Sequence, residues 1–180
     1  MTAAEAVLLG IVQGLTEFLP VSSSAHLALA PRVFRFEDPG LAFDVALHFG
    51  TLLALLWYFR TEWREMLIGA WRIVRTRTVT SVHEKRVLYL IVATIPGGIG
   101  GLLLNDIAEA QFRAPALIAS AMAVMGVVLW GLDRWSARAR AIEEITLRDA
   151  IVVGGAQVLA LIPGVSRSGS TITAGRALGL

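Results

Sequence analysis

The sequence has no cysteine and few charged residues, and each shortage excludes a class of protein. Without cysteine among its 180 residues, the chain can form neither disulfides nor thiolate metal sites. Only 17% of the residues are charged and 56% are hydrophobic, whereas a soluble domain has about 25% charged and about 45–50% apolar residues. The net charge is +2, and the basic residues stand between apolar stretches. Membrane topology explains them better than nucleic-acid binding does.

Three apolar stretches have the length of a membrane span. They are Leu41–Phe59, Val87–Leu104 and Ala114–Leu132, each close to the roughly 20 residues that cross a hydrocarbon core of about 30 Å. The first apolar segment of the chain does not resemble a signal peptide, because it lacks a basic start and contains Glu17 and a serine run. The sequence predicts an all-α, polytopic transmembrane bundle with a single membrane domain over residues 1–180.

Two further apolar stretches are too short and too polar for ordinary spans. As helices, Ala4–Leu19 and Ala150–Ile162 would reach roughly 24 Å and 20 Å. Each is followed by a polar turn and another short apolar stretch. This pattern is typical of a re-entrant helix–loop–helix hairpin, which is tolerated at membrane depth only where protein or a watery cavity surrounds the loop. We expect two such hairpins, at about residues 4–31 and 150–180.

The two hairpins also match each other in sequence. At an offset of 144 residues, the matched pairs include Gln13 with Gln157, Ser22 with Ser166, and Ser24 with Ser168. Three spans, an odd number, separate the copies, so the second copy would enter from the opposite side. Such an inverted repeat places a site where broken helices meet. A chance match in an apolar chain of low complexity is the alternative.

The distribution of basic residues predicts the orientation of the chain. Segment Arg60–Arg86 contains seven Lys or Arg but only three acidic residues. By the positive-inside rule this segment is cytoplasmic. Because successive spans cross in opposite directions, this assigns each remaining connection to one side of the membrane. We expect the site between the hairpins to face outward.

The first polar loop carries a carboxylate within an apolar segment. Gln13 and Glu17 are four residues apart and share a helix face. A carboxylate inside a bilayer costs several kcal/mol unless it is paired, which points to function. The alternative is a glutamate at a helix end, close to the lipid headgroups.

The same loop continues with Ser22, Ser23 and Ser24, followed by His26. The serines could simply cap the next helix, or they could line an anion site at its N-terminus. His26 can exchange a proton near neutral pH. Because it follows Ser23 by three residues, a Ser–His contact on one helix face is expected.

The second polar loop carries a cation. Arg167 lies in an apolar segment and therefore needs an anionic partner, and its planar guanidinium matches phosphate oxygens. Hydroxyl side chains surround it in sequence, and this composition suits a phosphate cradle: Ser166, Ser168, Ser170 and Thr171. Arg167 could instead pair with Glu17 in a salt bridge that substrate would replace.

A weaker pair of candidates lies in the first predicted span. Asp44 and His48 are four residues apart, so they either line the same cavity or bind each other.

The full set of candidate residues comprises a carboxylate, an amide, a Ser–His pair, an arginine and many hydroxyls, without a nucleotide-binding loop. It suits hydrolysis of a phosphate ester or anhydride on a membrane-embedded substrate, with arginine and a metal neutralising charge.

At these residues the sequence resembles a known family, the undecaprenyl pyrophosphate phosphatases linked to bacitracin resistance. Gln13–Leu27 resembles the first signature motif of the family and Pro163–Ile172 the second. Phe43–Ala54 and Ala93–Pro96 are also similar to the family. The resemblance covers nearly the whole chain.

The resemblance implies an enzyme of the bacterial plasma membrane that removes one phosphate from undecaprenyl pyrophosphate. The product would be the lipid monophosphate that carries cell-wall precursors. The resemblance also implies a divalent metal, Mg²⁺ or Ca²⁺. By position, Gln13 and Glu17 form the acidic pair that holds the metal, Ser23 is the nucleophile, His26 the acid/base and Arg167 the phosphate clamp. Attack by serine and attack by an activated water both stay open.

The sequence departs from the family pattern in three ways. Gln13 stands where a carboxylate is often found, and Ala25 replaces the usual glycine. Family members are usually longer, so the resemblance predicts further spans after Leu180 and leaves the activity of these 180 residues alone to be tested. The alternatives are a transporter or flippase of polyprenyl phosphates without hydrolysis, and a structural fragment inserted in the membrane. The oligomeric state, a homodimer included, stays open.

Overall fold

Helices and short turns account for the described chain. A computed structural model describes residues 1–111, 114–137 and 139–180, and the side chains of all of these except residues 105–111 and 142. Its α-helices are α1 (Ala3–Phe18), α2 (Ser23–Phe34), α3 (Leu41–Tyr58), α4 (Arg60–Thr76), α5 (Val82–Gln111), α6 (Pro115–Trp135), α7 (Leu147–Ala156) and α8 (Arg167–Ala177). Short 3₁₀ turns, Ile142–Glu144 and Gln157–Leu161, flank α7. The all-α prediction is confirmed.

Three of these helices are long and apolar enough to cross a membrane. They are Leu41–Tyr58, the Val82–Leu104 part of α5, and Pro115–Trp135. They match the three predicted spans at 41–59, 87–104 and 114–132. The chain is therefore a multi-pass membrane protein. Helix α5 begins five residues before the predicted span, within the basic segment.

The pattern of burial also fits a membrane environment. Among the described side chains, nine polar or charged residues are buried but only seven apolar ones. Large apolar side chains point outward instead, as Trp57 and Leu102 do with 74% and 89% of their surface exposed. A soluble bundle would bury such residues. Lipid around the outer surface explains the distribution. The interior combines polar side chains with a small apolar cluster around Leu9, Leu27 and Ala30.

The segment interpreted as a basic loop is largely helix α4. Its charges alone indicate a connection between spans, but its large apolar residues recur at helical spacing on an exposed face: Trp63, Leu67, Trp71 and Val74. Arginines lie on or beside the same face, as Arg60 and Arg64 do next to Trp63 and Leu67. This amphipathic pattern is typical of a helix that lies along a membrane surface.

Helices α1 and α2 form one hairpin, and α7 and α8 form another. Thr2 caps α1 and Thr146 caps α7, each within a capping box. The returning helices begin at Ser23 and Arg167. Both pairs of positions are 144 residues apart, the offset of the sequence match. The inverted relation of the two copies in a membrane stays a prediction.

Close helix packing holds the second hairpin in place. Helix α7 packs against α5, and α8 packs against α6. A Cβ at Gly154 of α7 would lie 2.5 Å from the carbonyl oxygen of Ala93, so only glycine fits there. In the second loop, Gly164 has φ +98° and would place a Cβ 2.4 Å from the carbonyl oxygen of Ile118. These contacts fix α7 against α5 and the loop before α8 against α6.

Candidate active site

The two polar loops contact each other directly. Ser168 Oγ, in the first turn of α8, donates a hydrogen bond to the carbonyl oxygen of Leu19 at 3.4 Å. Next to it, a Cβ on Gly169 would lie 3.3 Å from the carbonyl oxygen of Pro20. Pro20 itself prevents α1 from continuing. The loops of two separate hairpins therefore meet.

A cavity of about 520 Å³ opens where the loops meet, and we call it the polar cavity. It is lined by eight of the eleven residues that the sequence proposed for the site: Glu17, Ser22, Ser23, Ser24, Ser166, Arg167, Ser168 and Thr171. His48 of α3 and Gln157 also line it. Gln13, His26 and Ser170 are not among the lining residues. Ser170 is buried, and its hydroxyl donates to the Arg167 carbonyl at 3.0 Å.

Glu17 has partners from three helices. Gln13 Nε2 donates to Glu17 Oε2 at 3.1 Å, and the Ser23 hydroxyl donates to the same oxygen through a short hydrogen bond. His48 Nε2 lies 3.6 Å from it. The amide and the hydroxyl are the donors that satisfy the carboxylate, which an apolar chain must otherwise leave unpaired. Ser23, which the resemblance implies as the nucleophile, is therefore hydrogen-bonded directly to Glu17.

The neighbours of Gln13 determine which way its amide points. Thr51 Oγ1 donates to the His48 carbonyl at 2.8 Å, so it accepts from Gln13 Nε2 at 3.4 Å. The amide nitrogen therefore faces both Thr51 and Glu17. Gln13 is fully buried, and its Oε1 has no partner among the described residues. Gln13 acts here as a donor that orients Glu17.

The two histidines in this region are held by backbone carbonyls. His48 Nδ1 donates to the Asp44 carbonyl at 2.7 Å, which leaves Nε2 toward Glu17. His26 Nδ1 donates to the Ser22 carbonyl at 2.8 Å. The expected Ser23–His26 contact is not formed, because the Ser23 hydroxyl turns to Glu17. His48, the weaker sequence candidate, is the histidine that lines the polar cavity.

The serines at the two helix starts have different roles. Ser166 caps α8 by accepting a hydrogen bond from the Gly169 N–H at 3.0 Å. Ser22 occupies the equivalent position before α2, but its side chain makes no capping bond and its φ is +66°. The first N–H groups of α2 thus lack a side-chain cap beside a row of cavity-lining hydroxyls. Such a helix start attracts anions.

Arg167 is the cation of the polar cavity. It begins α8, its side chain is exposed to the cavity, and it forms no ion pair with any described residue. The Glu17–Arg167 salt bridge that we considered is absent, since Glu17 is bound by Gln13, Ser23 and His48. The guanidinium is free to bind an anion from outside.

The donor set bears on the predicted metal. Within the described ranges no cluster of three or more His, Asp or Glu suits a metal ion. Glu17 and the nearby hydroxyls are oxygen donors, and Mg²⁺ is usually held by one or two carboxylates together with substrate phosphates and water. The residues fit a Mg²⁺ that is completed by phosphate. Gln13 turns its nitrogen to Glu17 and leaves its Oε1 without a partner among the described residues. Metal binding by Gln13 and Glu17 stays a prediction.

Comparison with known proteins agrees with the motifs. Residues 6–180 match the family model described as bacitracin resistance protein BacA. The chain belongs to this family. The resemblance seen in the sequence is thereby confirmed.

Curated relatives of the chain are named undecaprenyl-diphosphatase. An undecaprenyl-diphosphatase of Gemmatimonas aurantiaca is 73% identical over 180 residues, which are 100% of this chain and 67% of that protein. The undecaprenyl-diphosphatases of Moorella thermoacetica and Pelotomaculum thermopropionicum are 48% and 49% identical over the whole chain, and cover 67% and 66% of those proteins. The chain thus spans about two thirds of the length of these relatives.

Proposed function

We propose that the chain carries the catalytic site of an undecaprenyl-diphosphatase, which hydrolyses undecaprenyl pyrophosphate to undecaprenyl phosphate and recycles the cell-wall lipid carrier. The observation that supports it most is the polar cavity, where a serine hydroxyl bound to Glu17 faces an arginine without an ion pair. The name shared by relatives up to 73% identical points to the same substrate.

The proposed reaction begins with the pyrophosphate against Arg167 and the uncapped start of α2. Ser23 gives its proton to Glu17 and bonds to the terminal phosphorus, while the bond from that phosphorus to the bridging oxygen breaks. The polyprenyl monophosphate leaves, and water then hydrolyses the phosphoserine. In the alternative route, Glu17 takes the proton from a water that attacks directly. A divalent metal, when bound with the substrate, would neutralise phosphate charge.

Two histidines are candidates for the second proton transfer. The resemblance gives this role to His26, whereas His48 Nε2 lies 3.6 Å from Glu17 inside the polar cavity. We propose that His48 shares the proton of Glu17 and that His26 protonates the leaving phosphate. Substituting each histidine with alanine and comparing the losses of turnover assigns the roles.

The proposed setting is a bacterial plasma membrane with the polar cavity open to the outside. The basic segment containing α4 lies on the cytoplasmic side under this proposal. The hairpins α1–α2 and α7–α8 are re-entrant under this proposal, which explains how the uncapped N–H groups of α2 and the charge of Arg167 avoid lipid. The oligomeric state, a homodimer included, stays open.

The test is phosphate release from a polyprenyl pyrophosphate in detergent with Mg²⁺. We expect Arg167→Ala, Glu17→Gln and Ser23→Ala each to lower turnover by about 100-fold or more, as loss of a transition-state donor does. Arg75→Ala, on the exposed side of α4, is the matched control and keeps wild-type turnover. Equal turnover in all variants would sink the proposal. Binding of polyprenyl phosphate without phosphate release would favour the transporter alternative.

A further inference from the structure

A second cavity adjoins the polar cavity. It measures about 450 Å³, lies between α4, α5, α7 and α8, and we call it the apolar cavity. Four residues line both cavities: Leu90, Ala93, Val153 and Thr171. The two spaces are therefore neighbours with a shared wall.

The lining of the apolar cavity offers little to a second phosphate. Its interior consists largely of apolar side chains: Met66, Tyr89, Leu90, Ala150 and Val153. Three of the charged groups that line it have partners of opposite charge: Arg86 with Glu143 at 3.2 Å, Asp149 with Arg140 at 2.6 Å, and His83 with Glu65 at 3.8 Å. Arg86 Nε itself has no hydrogen-bond partner among the described residues. An apolar occupant matches this surface, because apolar side chains make up most of the lining.

The lining residues of α8 give the order of the two cavities along this helix. Arg167 lines the polar cavity only, Thr171 lines both, and Gly175 lines the apolar cavity only. These residues are four apart, so they share one helix face with a step of about 6 Å. The same face thus leads from a cation to an apolar space.

Helix α7 gives the same order. Gln157, just after its end, lines the polar cavity only, Val153 lines both, and Ala150 lines the apolar cavity only. Two helices from one hairpin therefore define one direction, from phosphate-binding groups to apolar side chains. This is the order of chemistry along a lipid pyrophosphate.

We propose that the apolar cavity holds the first isoprene units of the lipid substrate, next to the pyrophosphate in the polar cavity. The proposal rests on the proposed function and adds to it a chain-binding subsite. Seen from Arg167 in the polar cavity, the subsite lies toward Arg86 and Asp149, which line the apolar cavity. A cavity of this size accepts only part of a long polyprenyl chain, and the remainder lies in the bilayer.

The test narrows the apolar cavity and compares two substrates. Gly175→Leu adds a side chain from α8, where the nearest atom to an added Cβ is Leu180 Cβ at 4.0 Å. Met66→Trp narrows the cavity from the opposite wall. Gly155→Leu is the matched control, since nothing lies within 4 Å of its Cβ and it lines neither cavity. The probes are undecaprenyl pyrophosphate and the short methyl pyrophosphate, which has no isoprene unit to enter the apolar cavity.

We expect both narrowing variants to raise KM for the long substrate about tenfold or more while turnover of the short one stays at the wild-type value. Retained turnover of the short substrate also shows that the variant is folded. Wild-type KM values for both substrates would overturn the subsite, and so would equal losses for both. If the wild-type chain releases phosphate from neither substrate, the proposed function fails instead.

Discussion

At the scale of single residues, Glu17 shows how an apolar chain keeps a carboxylate without using its arginine. The partners of Glu17 are an amide, a hydroxyl and an imidazole from Gln13, Ser23 and His48. None of them carries a permanent charge. An arginine would satisfy Glu17 more strongly, but it would occupy the group that a phosphate needs. The division leaves Arg167 available for substrate.

Thr51 connects this arrangement to α3, and its removal has a defined consequence. In Thr51→Val the shape is kept, but Gln13 Nε2 loses an acceptor and the His48 carbonyl loses a donor. A buried group left without its partner costs about 1–3 kcal/mol. We expect turnover in the phosphate-release assay to fall about tenfold, whereas Thr51→Ser keeps most of it. Wild-type turnover in Thr51→Val would contradict the positioning role of Thr51.

The sequence identified Glu17, Ser23 and Arg167 because polar residues in apolar segments are conspicuous. It did not identify Thr51, and it ranked His48 low. Both lie in α3, whose composition indicated only a span, and their link to Glu17 depends on the packing of α1 against α3. Local spacing shows which residues share a helix face. It does not show which face another helix covers.

At the scale of helices, long apolar runs were enough to predict α3, α5 and α6 as spans. Helix α4 was missed because its charges were weighed and its apolar spacing was not. The end of α7, at Ala156, differs from the predicted helix end at Ile162 for another reason. The helix tightens into a 3₁₀ turn at Gln157, whose side chain donates to the Ala93 carbonyl of α5 at 2.9 Å. That contact is between distant parts of the chain and leaves no local pattern.

The close approach of α5 and α7 leads to a prediction about Gly154. A side chain there would meet the Ala93 backbone, with its Cβ 2.5 Å from the carbonyl oxygen. Overpacking of this kind costs about 1–3 kcal/mol or more. We expect Gly154→Val to lower Tm in detergent by about 5 °C or more. Gly155→Val, whose Cβ meets nothing within 4 Å, should unfold within about 1 °C of wild type.

A thermal shift of equal size in both variants would contradict the packing argument. It would mean that the loss of helical glycine, and not the contact between α5 and α7, controls stability. Thermal unfolding followed by the intrinsic fluorescence of the tryptophans measures both variants under the same conditions.

At the scale of the whole molecule, the second hairpin needs its two ends held together if its loop is to meet the first. Arg140 provides this connection. Its guanidinium binds Asp149 at the start of α7 through two hydrogen bonds of 2.9 and 2.6 Å, and it also donates to the carbonyl oxygen of Leu178 at 3.3 Å. Its backbone N–H donates to the Gly179 carbonyl at 3.0 Å. One residue therefore joins the entry and the exit of the hairpin.

This connection predicts how stability depends on pH. Hydrogen bonds from Arg140, followed by those from Thr146, hold the pKa of Asp149 well below its usual range. Because the folded-state pKa is lowered, the stabilisation is fully present above the unfolded pKa of about 3.8 and is lost as the pH falls below it. Asp149→Asn should therefore lower Tm by several degrees at pH 7, and the gap to wild type should shrink below about pH 4.

The control for this prediction is another ion pair of the same region. Glu143 pairs with Arg86 at 3.2 Å, but 60% of the Glu143 side chain is exposed, and such pairs contribute about 0–1 kcal/mol. Glu143→Gln should thus leave Tm nearly unchanged at every pH. Thermal unfolding of the three proteins between pH 7 and pH 3 decides the matter. A gap between Asp149→Asn and wild type that stays constant across this range would show that the carboxylate stabilises the hairpin by its shape and not by its charge.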